Sequence, residues 1–325
     1  MHNTLNGMTK YLYLLLLFVA SCLDGDLYDA ATVRNMLQET GIPINSVTLI
    51  SSGWDNLVAD VNGEWIFRFP RTLEAKANIE KEAILLDRLH GHITMPIPHY
   101  EFTGPDSLFV GYKKLQGGPL TKELYATLSD DERNSIADDI ALFLHELHQA
   151  ISVEEAQKMG YKLYKVPVAW IKSDLLGTLA NPDVERIISE ALFYLSTHTT
   201  SQLVLAHNDL HGDNLAFDYS LRKITGIFDF SDAVIGDFAI DLGKSFIVDV
   251  DLGKRVCQAY SRHHSCPNPL QSAACDFILR RATFILHCRQ SQEHEREQRL
   301  YQMLENFIPA WDEATIETKG IVNAS

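Results

Sequence analysis

The chain has 325 residues, of which 46% are hydrophobic and 22% are charged, and its formal net charge is -15 with a sequence pI near 5.2. This composition suits a well-buried core and excludes fibrous, collagen-like and disordered proteins. Phosphate backbones and anionic membrane surfaces would repel so acidic a chain, which argues against nucleic-acid binding and favours a soluble, cationic ligand.

The cysteines of the chain, five in number, are widely spaced and form no C-x-x-C pair. An odd, scattered set in a chain of this length argues against a disulfide framework and suits a reducing compartment. We therefore expect a cytoplasmic protein.

The N-terminal segment, residues 1–23, leaves a second location open. Lys10 precedes an apolar run at 11–22 that is too short to span a bilayer but suits the core of a signal peptide. Residues 19–22 also resemble a bacterial lipoprotein processing site, in which Cys22 would carry the lipid and the membrane would be a partner. Alternatives to an exported lipoprotein anchored at Cys22 are an extra buried helix and residues upstream of the true start.

The first third of the chain has mainly strand patterns. The predicted strands are 47–50, 57–61, 64–69 and 108–115, and the predicted helices are 28–40 and 73–90. Asn62 and Gly63 are typical of a tight hairpin turn, and Gly41 is a typical helix stop. Gly117, Gly118 and Pro119 interrupt the pattern, which indicates a hinge.

The rest of the chain is mainly helical with a short β insert. The predicted helices are 129–149, 183–197 and most of the chain beyond 240, and the predicted strands are 203–206, 215–218 and 224–230. Ser129 and Glu132 form a capping-box pattern at the start of the first of these helices. We expect an α+β, bilobal chain with a β-rich N-terminal lobe at 24–115 and a larger, mainly helical C-terminal lobe at 116–325.

The segment 207–214 carries the strongest chemical signal. Asp209 lies two residues after His207 and five before Asn214, which is the spacing of a kinase catalytic loop. In such a loop a carboxylate orients the acceptor hydroxyl and accepts its proton, and an amide oxygen reaches the magnesium ion that shields the phosphates. The flanking strands would hold these side chains rigidly.

Asp229 follows in the pattern I-x-D-F and matches the second metal ligand of a kinase. Ser231 stands where the kinase pattern has Gly. The alternative for Asp209, Asn214 and Asp229 is that they cap loops.

The order of these motifs, followed by G-D-x-x-x-D-L at 236–242, resembles the aminoglycoside phosphotransferase family. Residues 52–56 and 62–71 are similar to the nucleotide-covering hairpin of that family, and 111–120 to its hinge. The resemblance covers about residues 47–250 and is greatest for the 2''-aminoglycoside kinases, although macrolide kinases share much of the pattern. It implies a bilobal, protein-kinase-like fold.

The resemblance also implies roles for individual residues. Asp209 would be the catalytic base, and Asn214 and Asp229 would bind Mg²⁺. The expected contacts of the co-substrate, ATP or GTP, are Ser52, Gly53 and Asn56 over the phosphates, Arg68 paired with Glu82, and hinge backbone at Lys113 and Leu115. Arg68 stands where protein kinases have Lys, and it offers a planar fork rather than a point charge. An exposed strand position is the alternative for Arg68.

The family resemblance and the Asp-rich segment around the loop predict an aminoglycoside acceptor, and hence a function in antibiotic resistance. A macrolide, homoserine or a choline-like amine are alternative acceptors, because one fold supports many. A third alternative is an exported binding protein or an inactive kinase relic. The G-K-S sequence at 243–245 matches the end of a P-loop motif. Phe238 occupies the position of the first Gly of that motif, which excludes it.

Overall fold

The computed structural model describes residues 29–50, 55–198, 202–264 and 268–322, with side chains through 315. The predicted leader at 1–23 with Cys22, and the predicted phosphate contacts Ser52 and Gly53, lie outside the described residues. The chain divides into two compact units. We call the residues up to His90 together with Pro96–Gln116 the sheet unit, and Gly91–Met95 together with the residues from Gly117 onward the helical unit.

The sheet unit contains a five-stranded antiparallel sheet in the order β1-β2-β3-β5-β4. Its strands are β1 Val47–Ile50, β2 Asn56–Val61, β3 Trp65–Pro70, β4 Phe102–Thr103 and β5 Val110–Lys113, and its helices are α1 Ala30–Met36 and α2 Leu73–Leu89. The strand and helix predictions for this part are confirmed within a few residues. The two-residue β4 was missed because so short a strand shows no alternation.

The turn between β2 and β3 forms where it was predicted. Asn62 and Gly63 both have left-handed backbones, with φ of 59° and 70°. The Asn62 side-chain oxygen also accepts from the backbone N–H groups of Asn45 and Ser46, at 2.9 and 3.0 Å, and so fixes the entry to β1. The resulting register places Arg68 in the middle of the sheet, opposite Val58 on one side.

Aromatic rings fill the core of the sheet unit. Phe67 and Phe69 are fully buried and Phe109 is 5% exposed. The rings of Phe67 and Phe109 meet edge to face with centroids 5.8 Å apart. A Cβ on Gly111 would lie 2.3 Å from the Phe67 ring, so this close packing requires glycine on β5.

The helical unit has nine helices and four short strands in its described residues. Its helices are α3 Lys122–Ala126, α4 Asp130–Ala150, α5 Val153–Lys158, α6 Val168–Trp170, α7 Pro182–Thr197, α8 Ala239–Lys244, α9 Val250–His263, α10 Pro269–Ser291 and α11 His294–Val322. Its strands are β6 Leu203–Ala206, β7 Leu215–Asp218, β8 Lys223–Ile227 and β9 Val234–Asp237. β6 pairs with β9 and β7 with β8, both antiparallel.

The capping box at the start of α4 is present. The Glu132 backbone N–H donates to Ser129 Oγ, and the Ser129 backbone N–H donates to Glu132 Oε2 at 2.7 Å. This exchange satisfies two of the N–H groups that a helix start leaves without partners, which explains why the sequence marked this helix so clearly.

Two details of the β insert differ from the prediction. The strand predicted at 224–230 ends at Ile227, and Asp229 has a left-handed backbone with φ of 66°, which no strand residue adopts. The strand β9 was not predicted; it pairs Ile235 with Leu205. No helix among the described residues combines the length and apolar character that a bilayer crossing requires.

Candidate active site

The predicted catalytic loop connects β6 to β7, and Asp209 lies at its centre. The Asn214 amide Nδ2 donates to Asp209 Oδ2 at 2.9 Å and to the Asp209 backbone oxygen at 2.8 Å. On the other oxygen, Lys244 Nζ lies 3.3 Å from Asp209 Oδ1. The two carboxylate oxygens therefore face different neighbours, an amide on the Oδ2 side and an ammonium on the Oδ1 side.

The charge state of Asp209 follows from competing effects. Burial alone would raise the pKa of Asp209, but the hydrogen bond from His211 and the positive charge of Lys244 outweigh it. The pKa of Asp209 therefore lies below its ordinary value. The carboxylate stays ionised at neutral pH, as a group that orients and receives a hydroxyl proton must be.

A buried network holds the loop in place. Asp241 on α8 is fully buried, and its carboxylate accepts from the backbone N–H groups of His207 at 2.9 Å and Asn208 at 2.7 Å. His148 on α4 bridges Asp241 Oδ2, at 2.9 Å, and the hydroxyl of Tyr260 on α9, at 2.8 Å. Asp241 therefore braces the loop. His148 and Tyr260 were not predicted, because nothing in their spacing links them to it.

The two predicted metal ligands lie at one end of the β7–β8 hairpin. Asn214 directly precedes β7, Asp229 follows β8 by two residues, and the Phe228 backbone N–H donates to the Asn214 backbone oxygen at 3.1 Å. The amide nitrogen of Asn214 is engaged with Asp209, which leaves its amide oxygen to face a cation. Ser231 Oγ donates to Asp229 Oδ1 at 2.7 Å and so orients the second ligand.

In the sheet unit, the predicted pairing of Arg68 with Glu82 is present. Arg68 Nη1 lies 2.8 and 3.0 Å from the two carboxylate oxygens of Glu82, and the side chains are 7% and 0% exposed. Arg68 also donates to the Tyr100 hydroxyl at 3.3 Å. The alternative of an exposed strand position for Arg68 is therefore wrong.

The other residues of the sheet unit that were predicted to contact the nucleotide are held by fewer contacts than Arg68. Asn56, at the start of β2, is buried, and its Oδ1 has no hydrogen-bond partner among the described residues. Lys113 ends β5 with its ammonium 5.6 Å from the centre of the Trp65 ring, and Leu115 is half-buried just beyond. Between them, the Lys114 backbone N–H donates to Glu64 at 2.8 Å, which ties this segment to the start of β3.

Comparisons with known proteins agree with this geometry. Residues 46–275 match the phosphotransferase enzyme family, a stretch that covers more than half of the chain. The chain belongs to the phosphotransferase enzyme family. Members of this family are small-molecule kinases, so the predicted enzyme class is confirmed.

Solved structures support the fold of this phosphotransferase. The GDP complex of an aminoglycoside 2'-phosphotransferase-IIIa is 24% identical, with a TM-score of 0.74 over 87% of this chain and 99% of that one. A macrolide 2'-phosphotransferase from Brachybacterium faecium is 18% identical, with a TM-score of 0.65 over 85% of this chain and 97% of that one. The predicted kinase-like fold is confirmed, with an antiparallel sheet region followed by a mostly helical part.

One curated relative is longer and carries another activity in its name. A probable acyl-CoA dehydrogenase of Arabidopsis thaliana is 25% identical over 205 residues, or 57% of this chain. The match spans only 25% of that relative's length.

Three basic residues beside the catalytic loop were not predicted as part of the site. Lys244 comes from α8, and Arg280 and Arg281 come from α10; all three are buried. In the sequence, Lys244 stands out only as part of the P-loop-like residues 243–245, a motif that Phe238 excludes. Separations of about 35 and 70 residues from Asp209 leave no local pattern that could have joined these groups to the loop.

Proposed function

We propose that this phosphotransferase moves the γ-phosphoryl group of ATP or GTP to a hydroxyl of a small molecule, with Asp209 as the catalytic base. The acceptor oxygen forms a bond to the γ-phosphorus while the bond to the bridging oxygen of the nucleoside diphosphate breaks. The hydroxyl proton passes to the Asp209 carboxylate. The observation that carries the proposal is the position of the Asp209 carboxylate, which Asn214 fixes in a loop that Asp241 clamps.

Asn214 and Asp229 fit the Mg²⁺ role that the sequence predicted for them. Mg²⁺ takes oxygen ligands and is often held by one or two carboxylates together with substrate phosphates, rather than by an all-protein cage. The described residues contain no group of three or more His, Cys, Asp or Glu side chains that could hold a metal, which accords with so sparse a ligand set. The ion would neutralise charge on the phosphates.

The nucleotide contacts proposed for the sheet unit follow the sequence prediction. Arg68, held by Glu82 through a buried ion pair, would present its fork to the phosphates. Ser52, Gly53 and Asn56 would cover the phosphates, and backbone groups at Lys113 and Leu115 would hold the base. ATP and GTP stay equal candidates, because solved relatives are complexes with GDP and with ATP.

For the acceptor, the predicted aminoglycoside has support from the solved structures. Kinases of similar fold, with TM-scores of 0.72 and 0.63, are complexes with kanamycin and gentamicin. Exposed carboxylates of Asp213 and Asp232 beside the loop would suit an amine. A macrolide acceptor has support from the relatives of macrolide-kinase fold.

The decisive test is consumption of ATP or GTP by the full chain with Mg²⁺ and a panel of acceptors. We expect Asp209→Asn to lower kcat by about 100- to 10,000-fold, the range typical of a general base, with nucleotide affinity retained. Asp131→Asn makes the same change at an exposed site on α4 and should leave kcat unaltered.

Undiminished turnover by Asp209→Asn would remove Asp209 from the role of base. Absence of both turnover and nucleotide binding in the wild type would instead favour the binding-protein or relic alternative.

A further inference from the structure

The helical unit contains a cavity at the end of β6 and β9 that lies away from the catalytic loop. β6 enters that loop after Ala206, and its other end, Leu203, pairs with Asp237 and lines the cavity. A strand advances about 3.3 Å per residue, so Leu203 lies about 13 Å from His207, where the loop begins. The cavity therefore opens at a different place from the proposed base.

The size and lining of this cavity suit a small organic molecule. Its volume is about 590 Å³, within the range of roughly 300–1,000 Å³ that is typical of ligand pockets. Leu163, Leu195 and Leu203 line it and are 36–44% exposed, so the cavity reaches the surface and a ligand can enter. Its buried apolar lining includes Phe238 and Leu279.

Several polar groups of the cavity wall are held in place by other residues. The Tyr194 ring stacks on His198 with centroids 4.0 Å apart, and its hydroxyl shares a 2.9 Å hydrogen bond with Ser272 Oγ. Asp237 Oδ1 accepts from the Ala239 backbone N–H at 2.8 Å, at the start of α8. The wall is thus formed before a ligand arrives, as it is in most small-molecule sites.

Asp276 on α10 leaves a hydrogen-bond acceptor available to this cavity. Its side chain is 10% exposed and lines the cavity. Asp276 Oδ2 pairs with Arg280 Nε at 2.8 Å, whereas Oδ1 accepts no hydrogen bond from any residue that the structure describes. Buried carboxylate oxygens normally have donors, so the arrangement favours a ligand that brings one.

The charges on the wall determine which donor is favoured. Among the described residues, the charged side chains that line the cavity are Asp237, Asp276 and the exposed Lys165, and His198 adds a charge only when it is protonated. Arg280 is not among the lining residues, and its guanidinium packs 4.1 Å from the centre of the Tyr164 ring. A buried ligand therefore meets two carboxylates first, which repel an anion.

An ammonium group fits this wall better than a neutral donor. A charge-assisted hydrogen bond to a carboxylate is roughly twice as strong as a bond between neutral groups. Burial raises the pKa of Asp276, and a cation beside Oδ1 would offset that cost of the ionised form.

We infer that this cavity binds a small organic amine, whose ammonium group donates to Asp276 Oδ1 while its apolar body contacts the aromatic and aliphatic side chains of the wall. The inference concerns a second ligand site and does not depend on the proposed phosphoryl transfer. Ala239 and Ile240 of α8 also line the cavity, and the next residue, Asp241, clamps the catalytic loop. The bound amine would therefore touch the helix that holds the loop in place.

The first experiment measures the binding of three probes that share one apolar body. 3-Phenylpropylamine, 3-phenylpropanol and 3-phenylpropionate end in an ammonium, a hydroxyl and a carboxylate, and ligand-observed NMR titrations with the full chain give their Kd values. We expect the amine to bind about 10-fold more tightly than the alcohol, the gain of a charge-assisted over a neutral hydrogen bond, and the acid not to saturate. Equal Kd values for the three probes, or no saturable binding of the amine, overturn the inference.

Two variants locate the binding. Asp276→Asn keeps the side-chain shape and removes the charge, and we expect it to bind the amine and the alcohol equally well. Leu203→Trp fills the mouth of the cavity from an exposed position and should abolish binding of both. Phe193→Trp adds the same ring at an exposed position of α7 that does not line the cavity, and should change nothing.

Leu203→Trp also decides the matter if Asp276→Asn, which leaves Arg280 without its counter-ion, does not fold. Amine binding that Leu203→Trp leaves intact, or a preference for the amine that survives Asp276→Asn, refutes the site.

Turnover separates this site from the catalytic one. With ATP or GTP, Mg²⁺ and an acceptor that the protein phosphorylates, the amine should compete with neither substrate, because it binds away from the loop. Competitive inhibition would place the amine in the catalytic site and refute the cavity. Loss of Asp209 dependence with every acceptor refutes the proposed function, while the NMR titrations still decide the cavity.

Discussion

Two buried arginines of this chain have opposite surroundings. Arg68, in the middle of the sheet unit, shares a buried ion pair with Glu82 and a hydrogen bond with Tyr100. Arg281, on α10 of the helical unit, stacks on the Phe277 ring and has no hydrogen bond or ion pair with the residues that the structure describes. A fully paired buried charge has its desolvation cost offset inside the protein, whereas an unpaired one keeps that cost.

The largest effect should come from breaking the complete pair. Glu82→Gln leaves the Arg68 charge buried without its counter-ion, and we expect the free energy of unfolding to fall by about 3–5 kcal/mol. Urea unfolding of the full chain, followed by fluorescence, measures the loss. Glu80→Gln makes the same change at an exposed site on α2 and should cost less than about 0.5 kcal/mol. Equal effects at the two positions would contradict the pairing.

Where a buried arginine has no ion pair, we expect its replacement to raise the free energy of unfolding rather than lower it. Arg281→Met removes an uncompensated buried cation and keeps apolar contact with Phe277, so we expect a gain of about 1–3 kcal/mol in the free energy of unfolding. The same urea experiment without added anions measures the change. A loss as large as that of Glu82→Gln would mean that Arg281 has a stabilising partner within the fold.

Asp241 allows the effect of a fully paired buried charge to be measured as a dependence of stability on pH. Its carboxylate is buried and accepts hydrogen bonds from His148, His207 and Asn208. Burial would raise the pKa of Asp241, but the hydrogen bond from His148 and the nearby histidine charges outweigh it and lower that pKa. A lowered carboxylate pKa contributes stability that is present above the unfolded value, about 3.9, and is lost as pH falls through the folded pKa.

We therefore expect Asp241→Asn to be less stable than the wild type by about 2 kcal/mol at pH 7, and the difference to narrow as pH falls below about 4. Thermal unfolding between pH 7 and pH 3 gives the two curves. A difference that stays constant over this range would show that Asp241 stabilises the loop by shape rather than by charge. Asp138→Asn, an exposed substitution on α4, provides the baseline.

Sequence reasoning located the parts of the site whose spacing is local. Asp209 and Asn214 share one loop, Asn62 and Gly63 share one turn, and these patterns have a physical cause that acts over a few residues. The pairing of Arg68 with Glu82 came through family resemblance. Within the β insert, the alternation at 224–230 concealed a left-handed residue at Asp229, because side-chain pattern does not report backbone φ.

The groups that escaped prediction are joined only by the tertiary fold. His148 on α4 and Tyr260 on α9 meet at Asp241 of α8, and Lys244 of the same helix α8 reaches Asp209. Arg281 sits in a helix in which 14 of 23 residues are buried, polar ones among them, so no clear amphipathic pattern separated it from an exposed arginine. Its lack of a partner is visible only when every neighbour is in place.

The clamp on the catalytic loop has an evolutionary consequence. The contacts that fix His207 and Asn208 come from Asp241, with His148 behind it, and none of them comes from α10. Substitutions on α10 can therefore accumulate without removing the contacts that hold these two residues. The geometry of the loop is thus inherited with the buried contacts of α4 and α8.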